Sequence, residues 1–215
     1  MRFKNREHAA QLLVRKLTTA HKDENPLVLG VPRGAVPMAK IIADALGGEL
    51  DVVLVHKLTH PAQPELAIGA IDEAGNAFVS EWAAGLDPEY LEAEKKRQLT
   101  VLRERRARYT PLRKPIDPQG RVVIVVDDGI ATGSTMTAAL RAVRAQRPKK
   151  LVGAVAVASP TAARAMQQEC DAVVCLSTPA DFFAVGQFFD DFSQVTDDDV
   201  IAILQQNVEP DSALG

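Results

Sequence analysis

The chain has 215 residues, of which 47% are hydrophobic and 25% are charged, and its formal net charge is −3. This composition is typical of one globular domain with a sizeable core, with room for a small appended subdomain. The slight acidity gives no general electrostatic reason to bind nucleic acid or an anionic membrane, so any anion site must be built locally.

The N-terminus and the apolar runs predict a cytoplasmic protein. Residues 1–8 lead directly into a charged amphipathic pattern, without the apolar stretch and cleavage site of a signal peptide. No apolar run approaches the roughly 20 residues that span a bilayer, so no membrane partner is expected. The two cysteines, Cys170 and Cys175, have no histidine or cysteine neighbours at metal-ligand spacing, which predicts reduced thiols rather than a zinc site.

Short apolar runs recur along the chain, most of them separated by stretches of helical length. After an opening helix around residues 9–17, the predicted strands are 27–31, 51–55, 122–126, 151–158 and 172–175, and the predicted helices are 37–46, 88–109, 134–144 and 161–169. The run 122–126 is apolar on both pleat faces, as in a strand with helices on either side. We expect a doubly wound, mainly parallel, Rossmann-like α/β sheet forming one domain over residues 1–215.

Two stretches interrupt this alternation. Residues 60–75 contain two prolines and two glycines, which predicts a loop leading into a hairpin of 66–71 with 77–79. Helix 88–109 has a thin apolar face and many cations, so it is expected to pack lightly. Its glutamates are interleaved with the cations at spacings that allow intrahelical pairs, which favours a solvated face over an RNA or DNA surface. The polar tail 207–215 is expected to fray.

The most informative segment is 123–135, in which a strand, an acidic pair, a glycine- and hydroxyl-rich turn and a helix follow one another. This order places backbone N–H groups and a helix N-terminus at the carboxyl edge of the sheet, where they can surround a phosphate. Carboxylates beside a phosphate repel it unless they bind sugar hydroxyls or a divalent cation, and a ribose phosphate with magnesium satisfies both conditions. No lysine follows Gly133, so a Walker-type ATPase loop is disfavoured.

The acidic pair and the turn resemble a known signature. Asp127-Asp128 followed by residues 132–135 is similar to the phosphoribosyl pyrophosphate signature of type I phosphoribosyltransferases, and the resemblance covers about residues 27–192. It implies that Asp127 and Asp128 contact the ribose hydroxyls directly or through Mg²⁺, the expected cofactor. It also implies that the 5-phosphate is held by the residues of the turn, which are Gly129, Ile130, Ala131, Thr132, Gly133, Ser134 and Thr135.

The same resemblance implies a pyrophosphate subsite. The family binds pyrophosphate with a short loop after an early strand, a place taken here by residues 30–34, in which Arg33 can grip phosphate oxygens as a planar fork beside Gly34. A non-proline cis peptide is expected at Arg33-Gly34. Lys57 and His60 are the phosphate-facing candidates of a lid over about 57–75. The alternatives are that Arg33 is an ordinary surface arginine in a turn and that the lid segment is a plain surface loop.

A C-terminal hood, about residues 177–206, resembles the segment that covers the base in 6-oxopurine phosphoribosyltransferases. Phe183 and Val185 would contact the base, and Asp190 would lie near the metal with Asp127 and Asp128. The alternative is that the phenylalanines are core or an oligomer contact. Ala131 stands where the 6-oxopurine enzymes carry an aspartate, and 155–160 lacks their base-reading lysine, so the base identity is left open.

The expected function is transfer of the phosphoribosyl group of phosphoribosyl pyrophosphate to a nitrogenous, purine-like base, with pyrophosphate as the leaving group. Arg33, Lys57, Asp127 and Asp128 are the expected catalytic residues. The alternatives are a ligand-sensing regulator, favoured only by the basic helix, and a hydrolase or phosphatase on the same fold. The resemblance also implies a homodimer or homotetramer.

Overall fold

The structure, a computed structural model, describes residues 1–22, 24–111 and 114–206, and the polar tail 207–215 lies outside the described residues. The helices are α1 (Arg6–His21), α2 (Val36–Leu46), α3 (Pro88–Tyr109), α4 (Ser134–Ala145), α5 (Pro160–Gln167) and α6 (Asp197–Gln205), with short 3₁₀ helices at Glu81–Ala83 and Val185–Phe188. The strands are β1 (Leu27–Gly30), β2 (Glu49–Val52), β3 (Val55–His60), β4 (Gln63–Asp72), β5 (Ala77–Val79), β6 (Val122–Ile130), β7 (Lys150–Ala158) and β8 (Ala172–Ser177). Across the described ranges, no helix is long and apolar enough to cross a membrane.

Five parallel strands form the main sheet, in the order β2-β1-β6-β7-β8. The two central strands β6 and β7 are buried along most of their length. Helix α1 packs on β7 and β8, and α4 packs on β6 and β7. Continuous apolar strands of this kind require cover on both faces of the sheet. The expected mainly parallel α/β fold is confirmed.

The strand order reverses between β1 and β6. From β1 the chain moves outward to β2, and it later returns to the other side of β1 through β6. In open parallel sheets such a reversal leaves a crevice at the carboxyl ends of the strands, and ligands bind there. The loop after β1 and the acidic end of β6 both lie at this crevice, since Gly30 is the register partner of Val126.

Strand β6 is longer than the predicted strand 122–126. It continues to Ile130, and its last residues pair with β7 beyond the end of β1. Asp127 and Gly129 are therefore strand residues. Backbone pairing with β7 satisfies the N–H and C=O groups whatever the polarity of the side chains. The apolar pattern therefore underestimates the length of this strand.

A second, antiparallel sheet has the order β3-β4-β5. The predicted hairpin of 66–71 with 77–79 is confirmed as the β4–β5 pair. The predicted strand 51–55 is wrong, because β2 ends at Val52 and β3 begins at Val55 in the other sheet. A Cβ atom on Gly69 would lie 2.2 Å from the carbonyl oxygen of Phe78, so the close approach of β4 and β5 requires glycine there.

The segment 57–75, expected to be a lid loop, consists largely of β3 and β4. Strand β3 runs to His60 and β4 starts at Gln63, so two residues connect them. Pairing with β4 satisfies the backbone groups of β3, although prolines in the sequence indicate a loop. The prediction that this segment is a loop is therefore wrong. Its closure over the site stays a prediction.

Helix α3 is anchored more firmly than its thin apolar face predicts. Leu102 and Tyr109 are buried, and so is the acidic residue Glu94. The Glu94 carboxylate accepts hydrogen bonds from the backbone N–H and the hydroxyl of Thr59, at 3.3 and 3.2 Å, and from Gln98 at 3.0 Å. These bonds join α3 to β3 and correct the expectation of light packing.

A buried ion cluster fixes the C-terminal half of α3. Arg106 donates to Asp51 at 2.8 Å and to the two carboxylate oxygens of Glu73 at 2.6 and 2.5 Å. It also donates to the carbonyl oxygen of Val52 at 3.0 Å. The side chains of Arg106 and Asp51 are only 11% and 1% exposed. Arg106 was expected on a solvated face, and the structure places it at the junction of α3, β2 and the second sheet.

Candidate functional site

The loop after β1 packs directly against the acidic end of β6. A Cβ atom on Gly34 would lie 2.2 Å from Oδ2 of Asp128, so a larger residue here would push the Asp128 carboxylate out of its position. The N–H of Val31 donates to the carbonyl oxygen of Val126 at 2.9 Å and holds the start of the loop. The structure thus brings together the two segments that the sequence predicts to bind pyrophosphate and ribose.

A cis peptide bond is present in this loop, but it joins Pro32 to Arg33. The prediction placed it one residue later, at Arg33-Gly34, and is wrong in position. Gly34 is instead the residue in close contact with Asp128. That contact explains the need for glycine there without a cis bond.

Asp127 and Asp128 form an electrostatically strained pair. Burial raises the pKa of Asp127 well above its ordinary range, and the adjacent charge of Asp128 raises it further. Burial is also the largest cause of the raised pKa of Asp128, which is 8% exposed. The backbone N–H of Asp128 donates to Oδ1 of Asp127 at 2.9 Å. Two carboxylates in this setting are stabilised by a nearby cation or by hydrogen-bond donors.

One such cation comes from α1. Nε of Arg6 donates to Oδ2 of Asp128 at 2.8 Å, and both side chains are largely buried. The Arg6 guanidinium lies 3.8 Å from the centre of the Phe192 ring and donates to the carbonyl oxygen of Ser193 at 2.6 Å. Arg6 therefore ties the acidic pair to the C-terminal hood. The role of Arg6 is not predictable from the sequence, because no local pattern connects two positions that are 122 residues apart.

The predicted phosphate turn lies between β6 and α4. Residues 131–133 form the turn, and Gly133 has a positive φ of 81° that favours glycine. The hydroxyls of Thr132 and Ser134 lie 3.0 Å apart, and both residues are exposed, as is Thr135. Helix α4 begins at Ser134, so its first N–H groups and its dipole face outward here.

The structure divides the predicted phosphate-binding segment into two parts. Gly129 and Ile130 pair with β7 as strand residues, whereas Ala131 to Thr135 form the exposed turn and the start of α4. The Ser159 hydroxyl donates to the carbonyl oxygen of Ala131 at 2.6 Å and fixes the turn. The turn and the helix N-terminus are the part that can surround a phosphate.

The predicted pyrophosphate-binding cations occupy different surroundings. Arg33 is 44% exposed, and its Nη1 lies 3.9 Å from Oδ2 of Asp197 at the start of α6. Lys57 is exposed on β3 of the antiparallel sheet, opposite Ala70. Nδ1 of His60 accepts the N–H of Ala62 at 3.1 Å in the β3–β4 connection. Arg33 is thus placed at the crevice, and Lys57 and His60 lie on the second sheet.

The hood covers the end of β6 through Val185. A Cβ atom on Gly129 would lie 2.4 Å from Cγ1 of Val185, so these residues are in direct contact. Phe183 is 88% exposed, which leaves its ring open to solvent. By contrast, Phe188 and Phe189 are buried, so the alternative that the phenylalanines are core holds for these two.

The structure does not gather the three predicted metal ligands into one cluster. Asp190 forms an ion pair with Arg2 and is 59% exposed. In the ranges 1–22, 24–111 and 114–206, no group of three or more His, Cys, Asp or Glu side chains is arranged to hold a metal ion. Asp127 and Asp128 remain together, and Asp128 is already bound to Arg6.

The acidic pair still fits a divalent cation. Carboxylate oxygens are the ligands that Mg²⁺ prefers, and it is usually bound by one or two carboxylates together with substrate oxygens. Burial and the charge of Asp128 raise the pKa of Asp127 although the charge of Arg6 opposes them, so a bound cation would stabilise the Asp127 carboxylate. Asp128 already accepts a hydrogen bond from Arg6, which makes Asp127 the candidate ligand of the two.

Comparison with known proteins agrees with this geometry. Residues 3–191 match the family model of the phosphoribosyl transferase domain. Two Mycobacterium tuberculosis proteins, from strains CDC 1551 and H37Rv, each carry the name "putative phosphoribosyl transferase" and are 40% identical over 207 residues, or 95% of this chain. The match covers 46% of those relatives, so the chain spans about half of their length.

One solved structure is similar along nearly its whole length. The crystal structure of TT1426 from Thermus thermophilus is 46% identical and has a TM-score of 0.87, covering 96% of this chain and 99% of that one. The family model covers most of the chain and includes the loop after β1, the acidic pair and the phosphate turn. The chain therefore belongs to the phosphoribosyl transferase domain family.

Proposed function

We propose that the protein is a magnesium-dependent phosphoribosyltransferase that transfers the phosphoribosyl group of phosphoribosyl pyrophosphate to a nitrogenous base. The observation that supports this most is the direct packing of Gly34 on Asp128. It places a loop with an exposed arginine, a pair of carboxylates and a helix N-terminus at one crevice of the sheet. The pyrophosphate would meet the arginine, the ribose would meet the carboxylates, and the 5-phosphate would meet the helix N-terminus.

In this proposal the chain's residues bind the ligand in three places. The turn 131–135 and the N-terminus of α4 hold the 5-phosphate through backbone N–H groups and hydroxyls. Asp127 and Asp128 accept hydrogen bonds from the ribose hydroxyls. Arg33, with Lys57 if the second sheet closes, stabilises the charge of the pyrophosphate. Bound magnesium, held by Asp127, would neutralise part of that charge.

The reaction is displacement at the anomeric carbon of the ribose. A bond forms from a base nitrogen to this carbon as the bond from carbon to the pyrophosphate oxygen breaks, and the electron pair leaves with pyrophosphate. The proton of the base nitrogen passes to solvent, since Ala131 offers no carboxylate in the turn. Positioning of the two ends and stabilisation of the leaving charge would supply most of the rate.

A purine-like acceptor is supported by the hood alone. Val185 contacts Gly129 at the end of β6, and the exposed ring of Phe183 is free to stack on a planar base. The acceptor pocket would lie between this hood and the end of β7. A homodimer or homotetramer is a further part of the proposal and rests on the resemblance alone.

No observation favours the alternative of a nucleic-acid-binding regulator. Its support in the sequence was the basic helix α3, but the structure pairs several of its cations with carboxylates. These pairs are Lys95 with Glu92, Arg97 with Glu94, and Arg106 with Asp51 and Glu73. Paired cations release few counterions from nucleic acid and contribute little affinity.

The proposal is tested by measuring pyrophosphate release. The protein is incubated with phosphoribosyl pyrophosphate, Mg²⁺ and one base at a time from a panel of purines and pyrimidines, and pyrophosphate and nucleotide are both quantified. We expect equimolar products with at least one base, a loss of activity without Mg²⁺, and no activity in the Asp127→Asn variant. Equal release without any base would indicate a hydrolase instead, and ligand binding without release would indicate a sensor.

A further inference from the structure

The last turn of α3 reaches the loop after β1 through a shared aspartate. Asp197, the first residue of α6, lies 3.9 Å from Nη1 of Arg33 and 3.7 Å from Nη1 of Arg108, both measured from its Oδ2. Its other oxygen, Oδ1, accepts the hydroxyl of Tyr109 at 2.5 Å. Three segments that are far apart in sequence therefore meet around one carboxylate beside the crevice.

The hydrogen bond from Tyr109 fixes the position and the charge of this carboxylate. Tyr109 is 1% exposed, and burial raises its pKa to about 12, so its hydroxyl remains a donor at neutral pH. The same hydrogen bond is the main cause of the lowered pKa of Asp197, and the charges of Arg33, Arg108 and Arg105 lower it further. Asp197 is thus an anion in a fixed position, with Arg33 at 3.9 Å and Arg108 at 3.7 Å from it.

The arginines, by contrast, are held loosely. Their distances of 3.9 and 3.7 Å to Asp197 exceed those of hydrogen bonds, so each pair is electrostatic rather than hydrogen-bonded. Arg33 and Arg108 are also 44% and 62% exposed, whereas the hydrogen-bonded Arg6 is 13% exposed. Side chains in this condition can turn toward a more highly charged anion at small cost.

We propose that Arg33 and Arg108 form one anion subsite that binds the pyrophosphate group, and that Asp197 is a competing anion built into the fold. The identity of the ligand rests on the proposed function. In the free protein Asp197 compensates part of the charge of both arginines, and Arg105 adds positive charge that also acts on Asp197. Pyrophosphate carries more negative charge than one carboxylate and suits the planar fork of an arginine, so the arginine side chains turn from Asp197 to the ligand. The Tyr109 hydrogen bond holds Asp197 where it is.

This subsite extends the pyrophosphate site beyond the loop after β1. Lys57, the other expected cation, lies on the second sheet and would require that sheet to close. Arg105 and Arg108 instead come from a helix that Arg106 and Glu94 anchor in the fold. The anchored helix fixes the backbone positions from which these side chains extend, so only the side chains must be ordered on binding.

The inference is tested by calorimetric titration of the full chain with inorganic pyrophosphate, in buffer without divalent cations. The Arg105→Ala/Arg108→Ala double variant is expected to bind about tenfold or more weakly, because charged hydrogen bonds are lost. The Asp197→Asn variant keeps an acceptor for Tyr109 but loses the competing charge, so it is expected to bind several-fold more tightly. Arg103→Ala, on an exposed position of the same helix, is the control and should match the wild type.

Two outcomes would overturn the inference: unchanged pyrophosphate affinity in the double arginine variant, or weaker binding in the Asp197→Asn variant. Both variants alter partly exposed side chains, and thermal melting checks that they are folded. Failure of the proposed function would look different. In that case no base would give pyrophosphate release, yet the ranking of the variants in pyrophosphate binding would persist.

Discussion

Replacing Asp127 with asparagine is expected to weaken magnesium-dependent binding of phosphoribosyl pyrophosphate by about 100-fold or more. The carboxylate is proposed to contact ribose hydroxyls and the cation, and loss of two charge-assisted interactions of about 1.5–3 kcal/mol each accounts for a change of this size. The asparagine oxygen can still accept the N–H of Asp128, so the local backbone is preserved. Calorimetric titration measures the affinity directly.

The same variant is expected to be at least as stable as the wild type at neutral pH. Burial and the charge of Asp128 raise the folded-state pKa of Asp127 above its unfolded value of about 3.9, so the folded chain binds the proton more tightly. The stability of the wild type therefore falls as the pH rises from the unfolded pKa through the folded pKa. Asparagine removes this dependence, and the advantage of the variant disappears below about pH 4.

Thermal denaturation of both proteins between pH 4 and pH 8, without divalent cations, measures this difference. Asp44→Asn is a suitable control, because Asp44 lies on an exposed surface of α2 with Lys40 as its partner. Its effect on stability should be small and ligand affinity should be unchanged. Normal ligand binding by Asp127→Asn, or a melting temperature many degrees below that of the wild type, would contradict the assignment.

Replacing Arg106 with alanine is expected to lower the free energy of unfolding by about 3–5 kcal/mol, because it removes the guanidinium from a buried ion cluster. Asp51 is 1% exposed and Glu73 is 21% exposed, and both are bound by the same guanidinium. The loss should separate α3 from β2 and from the second sheet. Urea denaturation, followed by circular dichroism, gives the change in free energy.

The control for this prediction is Arg103→Ala, one turn earlier on α3 and exposed. Its effect should lie within about 0.5 kcal/mol, as for most surface substitutions. For a domain of this size the Arg106 variant should melt roughly 10 °C lower. A difference of less than about 1 kcal/mol between the two variants would mean that the buried cluster contributes little to stability.

The chemistry of the site was predictable where it is encoded in one continuous segment. Residues 127–135 present a strand end, two carboxylates, a glycine turn and a helix start in order, and each part has a physical role that can be inferred from its residue type. Arg6, Tyr109 and Asp197 could not be found in this way. They reach the site from separate helices, and only the tertiary structure brings them together.

The fold was predictable in its parallel core and less so at its margins. The run 122–126 has an apolar pattern that requires a buried strand, but the pattern stops where the strand continues to Ile130 with acidic side chains. In the segment 57–75 the prolines indicated a loop, whereas pairing with a neighbouring strand produced a sheet. Side-chain periodicity reports burial, and it does not report the backbone hydrogen bonds that decided these two cases.

The ion pairs of α3 could be predicted from sequence spacing only where both partners lie on the helix. Intrahelical pairs such as Lys95 with Glu92 follow from spacing and were expected. The partners of Arg106 and Arg108 are carboxylates on other elements, so sequence spacing could not distinguish them from solvated cations.

Phosphoribosyl pyrophosphate is proposed to bind in the crevice between β1 and β6. Calorimetric titration of the wild-type chain with this ligand, with and without Mg²⁺, measures that binding. We expect saturable binding to one site per chain that strengthens when Mg²⁺ is present. Absence of binding, or binding of equal strength without Mg²⁺ and in the Asp127→Asn variant, would contradict it.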